Sequence, residues 1–177
     1  MATRTVNVTI QGKTPLIMHR FPLEPIEALE KKPKKEQAEV AAYRDAEGRL
    51  YVPGLNIQRS FVSSATYSKG KGRASMQKPV AAGVLVTSEY ATLEPQEYVI
   101  DARAVVVPAT RGRVVRYRPR FDKWQVSFTM EYDDALMTEA QLRRVVDDAG
   151  ERVGLLDFRP EKKGMFGRFF VTKWEAE

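Results

Sequence analysis

The stretch Arg113-Val114-Val115-Arg116-Tyr117-Arg118-Pro119-Arg120-Phe121-Asp122-Lys123-Trp124-Gln125-Val126-Ser127-Phe128-Thr129-Met130-Glu131-Tyr132 holds two period-two alternations back to back. Successive strand residues point to opposite faces, so Val115, Tyr117, Pro119 and Phe121 share one face and Arg116, Arg118 and Arg120 the other. Trp124, Val126, Phe128 and Met130 alternate in the same way with Gln125, Ser127, Thr129 and Glu131. With Asp122-Lys123 as a two-residue turn, Phe121 stands opposite Trp124, Tyr117 opposite Phe128 and Val115 opposite Met130. One register then sorts both strands. The reading is a β-hairpin over 113–132 with an apolar face and an arginine face, in which Pro119 marks an edge strand or a bulge.

Outward from this block the signals alternate. Upstream, Thr5-Val6-Asn7-Val8-Thr9-Ile10 is a half-buried strand that can run on toward Leu16-Ile17-Met18. Residues 21–48 differ in character. Pro22, Pro25 and Pro33 and a run of charges leave little apolar content, which predicts an inserted, mobile arm with a short helix over 35–45. Tyr51-Val52-Pro53-Gly54 then turns into a helix over 56–67, whose buried stripe is Ile57, Phe61, Val62 and Ala65. Ser68 to Arg73, rich in glycine and lysine, is a flexible loop. Short strands follow at 84–87 and 104–107. Downstream, Thr138 and Gln141 have the spacing of a capping box. The helix they open buries Leu142, Val145, Val146 and Ala149 and stops near Gly150. A last strand runs over 168–174. Strand, helix, strands, helix, strand is the ferredoxin-like (RRM-like) βαββαβ plan, α+β in class, with an arm after its first strand and a protruding hairpin. The 177 residues make one domain, 1–177.

Composition excludes several chemistries. The chain has no cysteine and a single histidine, His19, so disulfides, thiolate metal sites, a cysteine nucleophile and two-histidine zinc sites are ruled out. No metal and no cofactor are expected. Neither an apolar run of membrane-spanning length nor an apolar signal core is present, which predicts a cytoplasmic protein without a membrane partner.

The net charge is +6, and it is segregated. Residues 59–78 carry +5 and residues 103–120 carry +6, both without an acid, while 159–168 carry +3. The rest of the chain therefore sums to −8. Such segregation suits a basic surface facing a polyanion.

Four candidate sites follow. The first is the arginine face, Arg116, Arg118 and Arg120, whose side chains project about 7 Å apart, near the phosphate spacing of an extended single strand. Arg111 and Arg113 precede it. On this reading the three arginines have no structural duty, and replacing them weakens binding without lowering stability. The second is the loop from Gly154 to Gly167. There Gly164 and Gly167 would let backbone approach a ligand, Arg159, Lys162, Lys163 and Arg168 supply charge, and Phe158 and Phe166 offer stacking faces or pack in the core. Its spacing matches neither the P-loop nor the dinucleotide fingerprint. The third is the loop of Lys69, Lys71 and Arg73, suited to nonspecific backbone contact or to plain solvation. The fourth is His19, either a general base or a packed or phosphate-touching residue. The acidic pairs Asp133-Asp134 and Asp147-Asp148 splay apart as sequence neighbours and do not make a two-metal centre.

Val52-Pro53-Gly54-Leu55-Asn56-Ile57-Gln58-Arg59-Ser60-Phe61 resembles the I-P-G-S-x-x-R-G-x-(L/F) start of the first helix in the repeat-associated (RAMP) superfamily of CRISPR proteins. Asn56 stands where the family has serine, and Ser60 where it has its second glycine. The segment ending Gly164-Met165-Phe166-Gly167-Arg168-Phe169 resembles that superfamily's glycine-rich loop before the last strand. The whole is most similar to the guide-RNA-binding backbone subunits, which polymerise along RNA, or to a minimal or phage-borne relative. The resemblance implies an RRM-like fold, with Arg59 and the loop Gly164 to Arg168 facing nucleic acid. It carries no catalytic role to any residue here.

The function expected is binding of single-stranded RNA or DNA, RNA being favoured through the resemblance, by a homo-oligomer or a ribonucleoprotein subunit. Two alternatives differ in class. One is a metal-independent guide-processing endoribonuclease with His19 as base. The other is a phage or mobile-element interaction protein that joins or blocks a host ribonucleoprotein complex.

Overall fold

A computed structural model describes residues 2–177. In chain order the elements are β1 (Thr3–Gly12), β2 (Leu16–Ile17), α1 (Ile26–Glu30), α2 (Lys34–Val40), β3 (Tyr51–Pro53), α3 (Gly54–Ser64), α4 (Gln77–Gly83), β4 (Val84–Val86), β5 (Tyr90–Glu94), β6 (Val99–Val106), β7 (Arg113–Phe121), β8 (Gln125–Asp133), α5 (Glu139–Asp148) and β9 (Phe169–Ala176).

Four strands and two helices make the ferredoxin-like core. β1, β5, β8 and β9 are its first to fourth strands, with α3 between the first two and α5 between the last two. They lie side by side as β5-β8-β1-β9, and each neighbouring pair is antiparallel. The crossover through α3 leaves β1 and β5 parallel with a gap between them, which β8 fills. β3 extends the sheet beyond β5, and β4 pairs with the far half of β8. Alternation decides the buried face: Val6, Val8 and Ile10 of β1 and Val126, Phe128 and Met130 of β8 point one way. They meet Ile57, Phe61 and Ala65 from the α3 segment and Leu142, Val145 and Val146 of α5. Phe61 and Phe128 pack with ring centroids 5.9 Å apart, and a fully buried phenylalanine of this kind is worth about 2–3 kcal/mol. The Thr138–Gln141 capping box forms as the sequence predicts.

The hairpin over 113–132 does not form. β7 and β8 lie in different sheets. β7 pairs with β6, Arg118 opposite Asp101 and Arg116 opposite Arg103, in a second sheet ordered β2-β7-β6. β8 takes β1 as partner, with Ile10 opposite Val126 and Val8 opposite Phe128. Both alternations were real, but parity names a face and not a neighbour. A tight two-residue turn needs left-handed backbone that Asp122-Lys123 does not favour. The chain instead turns a corner between sheets. There the Trp124 carbonyl accepts from Gly12 N–H (2.8 Å), and the indole Nε1 donates to the Thr14 carbonyl (2.8 Å). A Cβ on Gly12 would overlap that indole. The protruding hairpin is β6–β7, closed by residues 107–112.

The segment 21–48 is not a free arm. α2 lies against β7, with the Lys34 ammonium 5.5 Å from the Tyr117 ring centre. Leu29, Ala38, Ala41 and Ala42 are buried. Alanines contribute little apolar area but let a helix approach a strand closely, so sparse hydrophobicity understated the packing. α4 and β5 lack an evident sequence signal, and the strand expected at 104–107 is the end of the longer β6. Among the described residues, no helix is long and apolar enough to cross a membrane.

Candidate nucleic-acid interface

One end of the main sheet gathers everything of chemical interest. β1 leaves there into β2, β7 arrives there into β8, and the loop 154–168 enters β9 there, since Phe169 pairs with Gly12. The second sheet therefore projects from this end, with its arginine face toward the glycine-rich loop.

That face is an ion-pair network. Arg103 donates from Nε and Nη2 to Asp101 (3.0 and 3.1 Å). Arg120 reaches both Asp101 (3.1 Å) and Asp122 (2.9 Å). Arg118 donates from Nη1 to Asp157, and Arg116 lies 3.9 Å from Glu30. Arg118 is only 7% exposed. Burial pushes the Asp101 carboxyl up, but Arg103 and Arg120 outweigh it and hold it below the ordinary aspartate value. Burial likewise pulls the Arg118 guanidinium down, against the opposing pull of Asp157. The three hairpin arginines do not form an open row. Like charges facing across a strand pair repel, and these carboxylates relieve it.

The loop 154–168 closes over this face. The Arg103 guanidinium sits 5.2 Å from the Phe158 ring centre and 4.9 Å from that of Phe166, and Arg118 sits 5.4 Å from Phe158. The two rings meet edge to face, 6.5 Å apart. Both are half-buried, so they are neither core residues nor free stacking platforms. The glycines serve the loop itself. A Cβ on Gly164 would overlap the Phe158 backbone, and one on Gly167 the Leu155 backbone. Leu155 N–H donates to the Gly167 carbonyl (3.0 Å), Phe166 N–H to that of Phe158 (3.0 Å) and Gly167 N–H to that of Pro15 (2.8 Å). Left-handed backbone recurs at Gly154, Leu156, Phe158, Lys163 and Gly167, and the non-glycine members each store about 1 kcal/mol or more of strain.

His19 completes the face. Leu16 and Ile17 pair with Phe121 and Arg120, and Met18 N–H continues to the Pro119 carbonyl (3.0 Å). The next step of that register sets His19 opposite Arg118. Burial lowers the pKa of its imidazole, and Arg118 and Arg116 add to this against an opposing effect of Asp157. These effects favour the neutral form of the ring.

The remaining candidates divide into anchored and free. Arg159 is tied to Glu161 (2.9 Å) and the Leu156 carbonyl (2.9 Å), and Arg168 to the Glu151 carbonyl (2.7 Å). Lys162 and Lys163 are exposed, as are Arg111 and Arg113 at the hairpin tip and Arg59 on α3. None of these five has a carboxylate partner within 4 Å among the described residues. Asn56 and Ser63 of α3 hold the loop, accepting from Leu156 N–H (3.1 Å) and donating to Glu161 (3.0 Å). Arg59 shares their helix face by spacing. Lys69, Lys71 and Arg73 belong elsewhere: their loop is held by Gly70 N–H on the Ala74 carbonyl (2.9 Å) and flanks Gln141 and Arg144 of α5. Asp101, Arg103 and Asp157 are the site members the sequence reading missed. Asp101 and Arg103 could have been found, since i, i+2 residues share a strand face. Asp157 carries no such signal.

No protein-family model and no curated protein matches the sequence. Among solved structures, the chain is similar to one in the cryo-EM structure of the Type III-B Cmr-beta bound to cognate target RNA. The TM-score is 0.55 at 13% identity, over 98% of this chain and 60% of that one. It also matches the crystal structure of Cmr6 from Pyrococcus furiosus at a TM-score of 0.41 and 10% identity, over 96% and 98% of the two chains, a likeness too loose to bear on fold or function. At 13% identity the first match speaks to the fold. The ferredoxin-like plan implied by the resemblance to repeat-associated proteins is the plan this chain adopts. The chain spans about 60% of the length of its structural neighbour.

Proposed function

We propose that this chain binds single-stranded nucleic acid, RNA in preference, as a subunit of a ribonucleoprotein. The observation that carries the reading is a division of labour among cations. Arg103, Arg116, Arg118 and Arg120 face carboxylates inside the protein, whereas Arg59, Arg111, Arg113, Lys162 and Lys163 stand exposed, without a carboxylate partner among the described residues, around the same end of the sheet. The internal network shapes and stiffens a surface, and the free cations supply the phosphate contacts. RNA is favoured because the fold is shared with a chain of an assembly bound to target RNA. Phe21 and Leu23, 82% and 93% exposed on the arm, supply apolar area for contact with another subunit.

The test is a titration with labelled single-stranded RNA, single-stranded DNA and duplex DNA at two salt concentrations. Replacing Arg113, Lys162 and Lys163 with alanine should make the salt dependence shallower by about 0.7 in log–log slope per lost contact. An unchanged slope would remove these residues from the interface. No single-strand binding at low salt would turn the basic surface over to a protein partner.

A second reading has one observation in its favour. Burial and two neighbouring arginines favour the neutral imidazole, the form that can accept a proton from a 2′-hydroxyl, which suits a metal-independent endoribonuclease. Loss of cleavage in His19→Ala with binding retained would establish it, and intact RNA after prolonged incubation with the unaltered protein would exclude it.

A further inference from the structure

Among the described residues, four buried side-chain polar atoms lack a hydrogen-bond partner: His19 Nδ1, Arg116 Nη1, Arg118 Nε and Ser60 Oγ. The residues that carry the first three, His19, Arg116 and Arg118, line one cavity of about 370 Å³ between the 19–30 segment and the hairpin. Buried polar atoms without partners are costly, and two guanidinium donors with an unpartnered imidazole nitrogen beside them mark a position built for a group that accepts hydrogen bonds. Two of the three belong to guanidinium groups, so the group accepted is an anion. Arg116 and Arg118 are two apart on one strand face, about 7 Å between Cα atoms, close enough for their heads to converge on one tetrahedral oxyanion. Leu29, Val105 and Pro108 form an apolar wall beside them, and the volume is that of a small-molecule site.

We propose that this cavity binds one phosphoryl group of a nucleotide, with His19, Arg116 and Arg118 on its oxygens and the apolar wall against the sugar or base. The inference rests on the nucleic-acid reading above and adds a discrete pocket to a surface that otherwise holds a strand without choice. Its two sources are an internal phosphodiester and a terminal phosphate monoester. Charge nearby is balanced: Asp157 pairs with Arg118, Glu30 stands 3.9 Å from Arg116, and Glu24 at the rim is held by Lys32 (2.7 Å). Arg20 follows His19 in the chain with its side chain exposed, and the Tyr43 hydroxyl donates to the His19 carbonyl (3.5 Å). A bound phosphoryl group would supply the negative charge that favours protonated His19.

The chain has a single histidine, so its imidazole signals can be followed by NMR in the full-length protein without assignment. Titration with inorganic phosphate at constant ionic strength should move those signals saturably and raise the His19 pKa. Arg116→Gln should weaken the response at least fivefold. Arg118→Lys, which keeps a charge against Asp157, should weaken it too and guards against misfolding of the first variant. Oligonucleotides with and without a 5′-phosphate then separate the sources: a preference for the phosphorylated strand assigns the monoester, and equal shifts assign the diester. Signals that stay still in the unaltered protein, or that respond in both variants as strongly as in the unaltered protein, overturn the pocket. In that case strand binding measured on the same sample decides the wider reading separately, since it depends on Arg113, Lys162 and Lys163.

Discussion

Arg118 and Asp157 are ion-paired across 39 positions of sequence, and the bond ties the second sheet to the glycine-rich loop. Arg118 is buried while Asp157 keeps about a third of its side chain in solvent. The pair thus sits between the surface regime, where an ion pair is worth little, and the buried regime, where breaking one is expensive.

Asp157→Asn should therefore lower stability by about 2 kcal/mol, because Arg118 would remain buried with its charge uncompensated. Removing both charges, as in Arg118→Met with Asp157→Leu, should recover most of the loss. Urea denaturation of the three variants checks this. The alanine triple variant at Arg116, Arg118 and Arg120 should lose stability as well, contrary to what an exposed arginine row would allow.

Glycine replacements should separate crowding from backbone strain. At Gly72 the backbone is left-handed with nothing within 4 Å of an added Cβ, so Gly72→Ala should cost about 1 kcal/mol. At Gly167 the backbone is also left-handed and the Cβ would strike the Leu155 backbone. Gly167→Ala should cost well over twice as much. Thermal melts of the two variants give the comparison directly.

The pH dependence of stability should carry a histidine component of definite sign. His19 has a pKa lowered by burial and by its arginine neighbours, so the unfolded chain binds its proton more readily than the folded one. The contribution is complete above the unfolded value of about 6.5 and is lost as pH falls through the lower folded value. His19→Gln should flatten that part of the curve. A variant that keeps the same slope would place the titration elsewhere.

The corner between the sheets gives an optical test. In Gly12→Ala the new methyl should displace the Trp124 indole from its bond to the Thr14 carbonyl. Because Trp124 is buried and Trp174 only partly so, the emission should shift to longer wavelength before any global unfolding in urea.

Local structure is legible in this sequence, and the choice of strand partner is not. Period two in 115–130, the stripe of Ile57, Phe61 and Ala65 on and just after α3, and the Thr138–Gln141 box each depend on neighbours a few residues away, and each appears in the structure, with Val62 of the expected stripe only partly buried. Which strand lies beside which is a long-range matter. Asp122-Lys123 separates β7 from β8 by two residues, yet β1, more than a hundred residues upstream, outcompetes β7 as the partner of β8. The candidate site shows the same limit. Arg116, Arg118 and Arg120 do share a face, but the acids that meet them come from β6, from the end of α1, from the turn before β8 and from the loop before β9. Asp101 and Asp122 lie two residues from Arg103 and Arg120 and are within reach of spacing, whereas Glu30 and Asp157 are not.

The β6–β7 hairpin meets β2 only at Arg120 and Phe121 and the 19–40 segment along its middle, so length can be added at its tip. Because side chains return to the same face every second residue, adding two residues to each strand would move Arg111 and Arg113 outward by about 7 Å and leave every inner pairing in place. Adding one to each would turn the tip over. The distance at which this protein can touch something beyond itself is thus adjustable only in whole steps, each close to the rise of one nucleotide in an extended strand.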